Sequence, residues 1–141
     1  MGPQMPIPKR TARTRLTYIV LMAGLLTVGA AVGDPDLSLG TAPELADSGH
    51  DVVISQVGFF NAIDVEQLGN GHHAYGEQYG WQNATHVWQH GTGNDAYTLQ
   101  NGERNEILIN QSGARNLADV SQAGSDNFAR VDQFGHNNLA N

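Results

Sequence analysis

The chain has no cysteine, no lysine after Lys9 and no proline after Pro43. Without cysteine there is no disulfide framework, no thiolate nucleophile and no zinc ribbon. Positive charge is scarce and misplaced for a polyanion binder. Lys9, Arg10, Arg13 and Arg15 are four of the 7 basic residues, and all 14 acidic residues lie at or after Asp34. From Asp34 onward three arginines stand against 14 acids, a balance of minus 11. Nucleic-acid binding needs a clustered basic face, so that function class is excluded. What fills the 141 residues instead is glycine, asparagine and glutamine, in a chain sized for one small domain.

The beginning reads as an export signal over 1–33. Lys9 to Arg15 forms a basic region, Leu16 to Leu26 an apolar run, and Gly29, Ala30, Ala31 and Gly33 offer small residues for cleavage. Two threonines and three glycines interrupt the stretch from Leu16 to Gly33, and acids follow it, which argues against a membrane anchor. Residues 34–49 carry prolines, glycines and acids without periodicity and read as a flexible leader. Residues 50–141 are the repeat domain.

Glutamine recurs at Gln56, Gln67, Gln78, Gln89, Gln100, Gln111, Gln122 and Gln133, eight times at a spacing of eleven without an insertion. Two residues after each stands Gly58, Gly69, Gly80, Gly91, Gly102, Gly113, Gly124 or Gly135. Five after it stands Asn61, Asn83, Asn94, Asn105, Asn116, Asn127 or Asn138, with His72 the exception. Alanine at Ala74, Ala96, Ala118, Ala129 and Ala140, or Ile63, Thr85 and Ile107, follows two residues later. Such a period marks a repeat architecture.

Each unit alternates between two faces. Asn105, Ile107, Ile109 and Gln111 share one, and Glu106, Leu108 and Asn110 the other, as in a β-strand. The expected unit is a seven-residue strand and a four-residue turn in which the glycine takes positive φ. Glycine and asparagine in every unit exclude a helix. A flat meander would leave the Asn/Ala/Val/Gln face uncovered, whereas a β-solenoid of about four coils, 22 residues each, folds that face onto itself. Successive coils then stack about 4.8 Å apart, and each buried glutamine amide donates to the one a coil away. Outward charges agree with this stacking. The columns Asp51, His73, Asp95, Leu117; Asp64, His86, Leu108, Arg130; and Glu66, Trp88, Asn110, Asp132 place no like charges on adjacent coils.

The pattern Q-x-G-x-x-N-x-A-x-V-x-Q resembles the curlin repeat of bacterial curli subunits, best over Asn116 to Ala140, NLADVSQAGSDNFARVDQFGHNNLA. The resemblance implies a secreted, non-enzymatic subunit that passes the periplasm and polymerises at the cell surface into amyloid fibres for biofilm matrix and adhesion. It also implies partners: further copies added head-to-tail, a second curlin-type subunit and an outer-membrane secretion pore. The glutamines and asparagines would be its polymerisation ladder and the glycines its turns. Departures are His72 at an asparagine position and Gly76 inside a strand, and 34–49 carries no clear match.

Other motifs reduce to the repeat. Gly91 to Ala96 and Gly69 to Ala74 fit a G-x-G-x-x-A nucleotide fingerprint, but no helix follows either. His50 and His72 share an inward column and read as imidazoles satisfied at an amide site, with a metal or pH-sensing pair as the alternative. Dispersed acids and a thin core give no catalytic constellation and no cofactor site. The alternative function is a monomeric β-solenoid that binds glycan or a surface through exposed Trp81, Trp88, Phe59 and Phe60. Two further expectations follow. Facing Thr85, Gly76 should mark the weakest coil, so that Gly76→Val would speed assembly. Six histidines follow Asp34, so acidification toward pH 5 would carry the charge from minus 11 toward minus 5 and ease association.

Overall fold

The computed structural model describes residues 13–21, 24–31 and 49–141. The leader expected over 34–49 lies, but for Gly49, outside them. The described residues are all-β: β1 (Arg13–Leu21), β2 (Gly24–Ala31), β3 (Asp51–Phe59), β4 (Asn61–Asn70), β5 (His73–Trp81), β6 (Ala84–Thr92), β7 (Asp95–Glu103), β8 (Glu106–Ala114), β9 (Leu117–Ser125), β10 (Phe128–His136) and β11 (Leu139–Ala140). Even and odd strands of the repeat separate into two sheets, ordered β1-β4-β6-β8-β10 and β11-β9-β7-β5-β3-β2. From β3 on, every pair is parallel and in register at a step of 22, as in Gln56 on Gln78 and Gln67 on Gln89. This is a β-solenoid of about four turns. The first coil is β3 with β4, and the fourth is β9 with β10.

Alternation along each strand decides what is enclosed. Asn61, Ile63, Val65 and Gln67 of β4 are buried, while Ala62, Asp64, Glu66 and Leu68 are only partly so. The apolar core is a narrow column of Val52, Ile54, Ile63, Val65, Ala74, Val87, Ala96, Ile107, Ile109, Ala118 and Val120, with Ala129 and Val131 partly buried at one end. Its described members all belong to the repeat domain.

Three features differ from the sequence expectation. The strands are longer and the corners tighter: most strands run nine residues, through the repeat glycine, and turn at the next few positions. The left-handed corner residue falls four after each glutamine, at Phe60, Gln82, Arg104, Arg115, Asp126 and Asn137, with φ between 52° and 59°, and at Gly71 and Gly93. Second, Gly76 is no void. A Cβ there would lie 2.8 Å from Ile63 Cδ1, so the isoleucine of the preceding strand fills the space that the glycine vacates.

Third, the solenoid does not expose both edges. β2 pairs antiparallel with β3 from Gly24 opposite Gly58 to Ala31 opposite Asp51. β1 pairs antiparallel with β4 from Arg13 opposite Leu68 to Leu21 opposite Asn61, with a register shift between Leu16 and Ile19. The described part of the segment read as an export signal, 13–21 and 24–31, thus lies along the first coil.

Candidate functional site

The repeat concentrates its chemistry in two glutamine ladders inside the solenoid. In one, Gln56 Nε2 donates to Gln78 Oε1 at 2.7 Å, Gln78 to Gln100 at 2.7 Å and Gln100 to Gln122 at 3.0 Å. In the other, Gln67 donates to Gln89 at 2.8 Å, and Gln89 to Gln111 and Gln111 to Gln133 at 2.9 Å. From Gln67 onward each amide has a second hydrogen that crosses the core to a backbone carbonyl sixteen residues back, as from Gln100 to Ala84 at 2.9 Å and Gln111 to Asp95 at 2.8 Å. All eight glutamines are at most 7 % exposed. Burial without a partner would be costly, and repetition supplies the partner.

Asparagines lock the corners. Asn83 Nδ2 donates to Tyr79 O at 3.1 Å within its own turn and to Gly102 O at 3.0 Å in the next coil, while its Oδ1 accepts the backbone N–H of Asn105 at 3.1 Å. Asn61, Asn94, Asn105 and Asn116 also donate to a glycine carbonyl one coil on. Asn127 and Asn138 keep the bond within the turn, to Ala123 O and Phe134 O. The same corners explain the glycines. A Cβ on Gly102 would lie 1.9 Å from Gly124 O, so coil spacing rather than φ alone demands the missing side chain.

His72 performs an asparagine's task. Its Nδ1 accepts the Asn94 backbone N–H at 3.1 Å, and its Nε2 lies 3.2 Å from Leu68 O, a contact that requires the hydrogen on Nε2. His50 Nδ1 accepts the His72 N–H at 3.3 Å, and the two rings stack 5.1 Å apart at 7°. With Nδ1 occupied as an acceptor in both rings, the pair offers no convergent metal-binding lone pairs. Burial holds the His72 pKa down at about 4, with the Leu68 carbonyl pulling upward and His50, His90 and His73 pushing further down. Hence His72 is neutral at pH 5, and the charge change on acidification is smaller than six histidines imply.

The ladders have direction, and their two ends differ. At the β3–β4 end Gln56 Oε1 and Gln67 Oε1 are buried and accept no hydrogen bond among the described residues. There Val52, Ile54, Ile63 and Val65 are at most 2 % exposed. At the β10 end Gln122 and Gln133 donate to Glu106 O and Leu117 O, with no glutamine beyond them among the described residues. Ala129, Val131 and Ala140 are incompletely buried there, and Phe128, Phe134 and Leu139 stand 60 to 67 % exposed.

On the outer faces, stacking of unlike groups relieves the acidic charge. Arg104 donates to both oxygens of Asp126 one coil on, at 2.7 and 2.8 Å, and this raises the arginine pKa and lowers the aspartate's. Tyr75 and Tyr97 stack at 5.0 Å, and Tyr75 OH donates to Asp51. Sequence reasoning located the ladders but missed the left-handed corner position. Gly49, Gly71 and Gly93 at that position of their units were the available signal.

Residues 113–141 match the family model of the curlin associated repeat. No curated protein and no solved structure matches the chain.

Proposed function

We propose, from the match of residues 113–141 to the curlin associated repeat and from the same repeat pattern over the rest of the domain, that this chain is a curlin-type structural subunit of an extracellular fibre, exported and then polymerised head-to-tail by stacking the coils of successive molecules. One observation carries the reading. The contact between coils recurs at every step of 22 residues, with in-register backbone pairing, a glutamine on a glutamine and, except where His50 and His72 take the place, an asparagine on an asparagine. A contact that repeats within the chain can repeat between chains, because a parallel in-register edge is complementary to its own continuation. The half-exposed Ala129, Val131 and Ala140 give the β10 end apolar area to bury when another coil is added.

The likeness to the curlin repeat supports the remaining parts of the reading: fibres in biofilm matrix and adhesion, a second curlin-type subunit as partner, and passage through an outer-membrane pore. The role is structural rather than enzymatic. Residues 34–141, incubated with shaking at tens of micromolar, should form fibres that diffract near 4.8 Å and about 10 Å. A chain that stays monomeric for days under those conditions overturns the proposal and favours the monomeric glycan- or surface-binding solenoid.

A further inference from the structure

Resting on that reading of a stacked fibre, we propose that the β3–β4 end is the docking site for the β9–β10 coil of a second copy, and that strands β1 and β2, one on each sheet, occupy this site in the intact chain. The two strands give the first coil backbone pairing along both its edge strands, where Val52, Ile54, Ile63 and Val65 are buried. They do so with the wrong chemistry for the ladders. Both run antiparallel, whereas every other inter-coil pair is parallel, and the register sets Leu26 opposite Gln56 and Thr14 opposite Gln67. Leucine has no donor to offer. Both ladder acceptors, Gln56 Oε1 and Gln67 Oε1, stay buried and unsatisfied beneath these strands. Native structures rarely leave such atoms without partners, and here two occur together at the end where both ladders begin.

The missing donors are present at the other end of the same molecule. Gln122 and Gln133 spend one amide hydrogen on Glu106 O and Leu117 O, as the glutamines before them spend theirs on the carbonyls across the core. Those earlier glutamines give the second hydrogen to the next glutamine oxygen. Placed below the first coil, a neighbour's Gln122 and Gln133 would donate to Gln56 Oε1 and Gln67 Oε1 and extend both ladders without interruption. Exchanging β1 and β2 for that coil keeps the backbone paired and satisfies both acceptors. The fibre then has a defined polarity, with a donor face at β10 and an acceptor face at β3–β4. An intact chain has the donor face alone. It can add to the acceptor end of a fibre and, once there, presents β1 and β2 in place of the next acceptor face. Removal of 1–33, the segment that reads as an export signal, therefore converts a chain terminator into a two-ended monomer.

The experiment compares elongation of preformed seeds, followed by fibre length in electron micrographs, for the intact chain 1–141 and for residues 34–141, which contain every described core residue and both ladders. Elongation by the intact chain should be at least tenfold slower, and 5 mol % of it added to residues 34–141 should shorten the fibres severalfold. A second intact variant carries Thr14→Pro, Arg15→Pro, Thr27→Pro and Val28→Pro. Adjacent residues point their N–H groups to opposite sides of a strand, so each proline pair removes a ladder donor whichever is engaged. This variant should elongate seeds nearly as fast as residues 34–141 and should not shorten fibres. Equal elongation by the intact chain and residues 34–141, or unchanged fibre length on doping, overturns capping and leaves the fibre reading standing. Failure of residues 34–141 to form any fibre overturns the fibre reading itself.

Discussion

A buried glutamine in this molecule is stable because another glutamine sits one coil away. Gln100 accepts from Gln78 and from the Thr85 hydroxyl and donates to Gln122 and to Ala84 O. Gln100→Leu leaves the Thr85 O–H without its acceptor and Gln122 Oε1 without its donor and should cost about 2–4 kcal/mol, at roughly 1–2 per orphaned group. Gln133→Leu should cost less than half as much, because water reaches the open end. Urea unfolding of freshly purified, unassembled chain measures both. His72 adds a pH term of definite sign. Its folded pKa of about 4 lies below the reference 6.5, so the unfolded chain takes up the proton first. The stability from neutral His72 is present in full above pH 6.5 and falls as pH drops toward 4, by at most about 1.4 kcal/mol per pH unit for one proton. His72→Asn supplies the same acceptor and donor without a titrating ring. Its unfolding midpoint should lose less between pH 7 and pH 4 than that of the parent chain, and parallel pH profiles would contradict the ladder role of the imidazole.

Strands are held to their neighbours by close approach at the glycine corners and by complementary volumes in the core. Gly102→Ala brings a Cβ within 1.9 Å of the Gly124 carbonyl oxygen, a backbone atom that cannot rotate away. It should open the β7–β9 contact and cost about 3 kcal/mol or more, in the range of large mutational effects. Gly76→Val belongs to the same scale but acts through the core. Ile63 Cδ1 occupies the space that the added methyls need, so the substitution overpacks the coil and should destabilise it by about 1–3 kcal/mol. Faster assembly of Gly76→Val without loss of stability would show that Ile63 moves aside freely.

For the whole molecule, association must overcome net charge. The chain after Asp34 carries minus 11, and an in-register junction brings Asp132 of one copy beside Glu66 of the next. Arg130 already donates to Asp132 at 2.6 Å and screens part of that repulsion. Assembly of residues 34–141 at pH 8 should show a lag that shortens severalfold between 10 mM and 300 mM salt, because the Debye length falls from about 30 Å to well under 10 Å. Glu66→Gln should shorten the low-salt lag, whereas Glu106→Gln, distant from the junction, should change it little. The reverse order of effects would contradict in-register head-to-tail contact.

The period of eleven without an insertion determined most of this molecule. Identical residues must stack when every unit has the same length, so the inward Gln, Asn and Val/Ile positions, the step of 22 and the separation of outward charges were all legible in the sequence. What lay outside one unit was decided only by the tertiary structure. Ile63 fills the gap at Gly76 from the other side of the core, a relation set by how the two sheets face each other. Left-handed φ falls on Phe60, Gln82 and Arg104, where residue type alone would not place it, because the corner is held by asparagine bonds to the adjacent coil. The direction of the glutamine bonds is likewise invisible in a period that gives each inner glutamine the same neighbour in the coil on either side. Most of all, the apolar residues of β1 and β2 carry no repeat signal. Their pairing with the first coil follows from the exposed backbone of an edge strand, which any extended segment of sufficient length can satisfy.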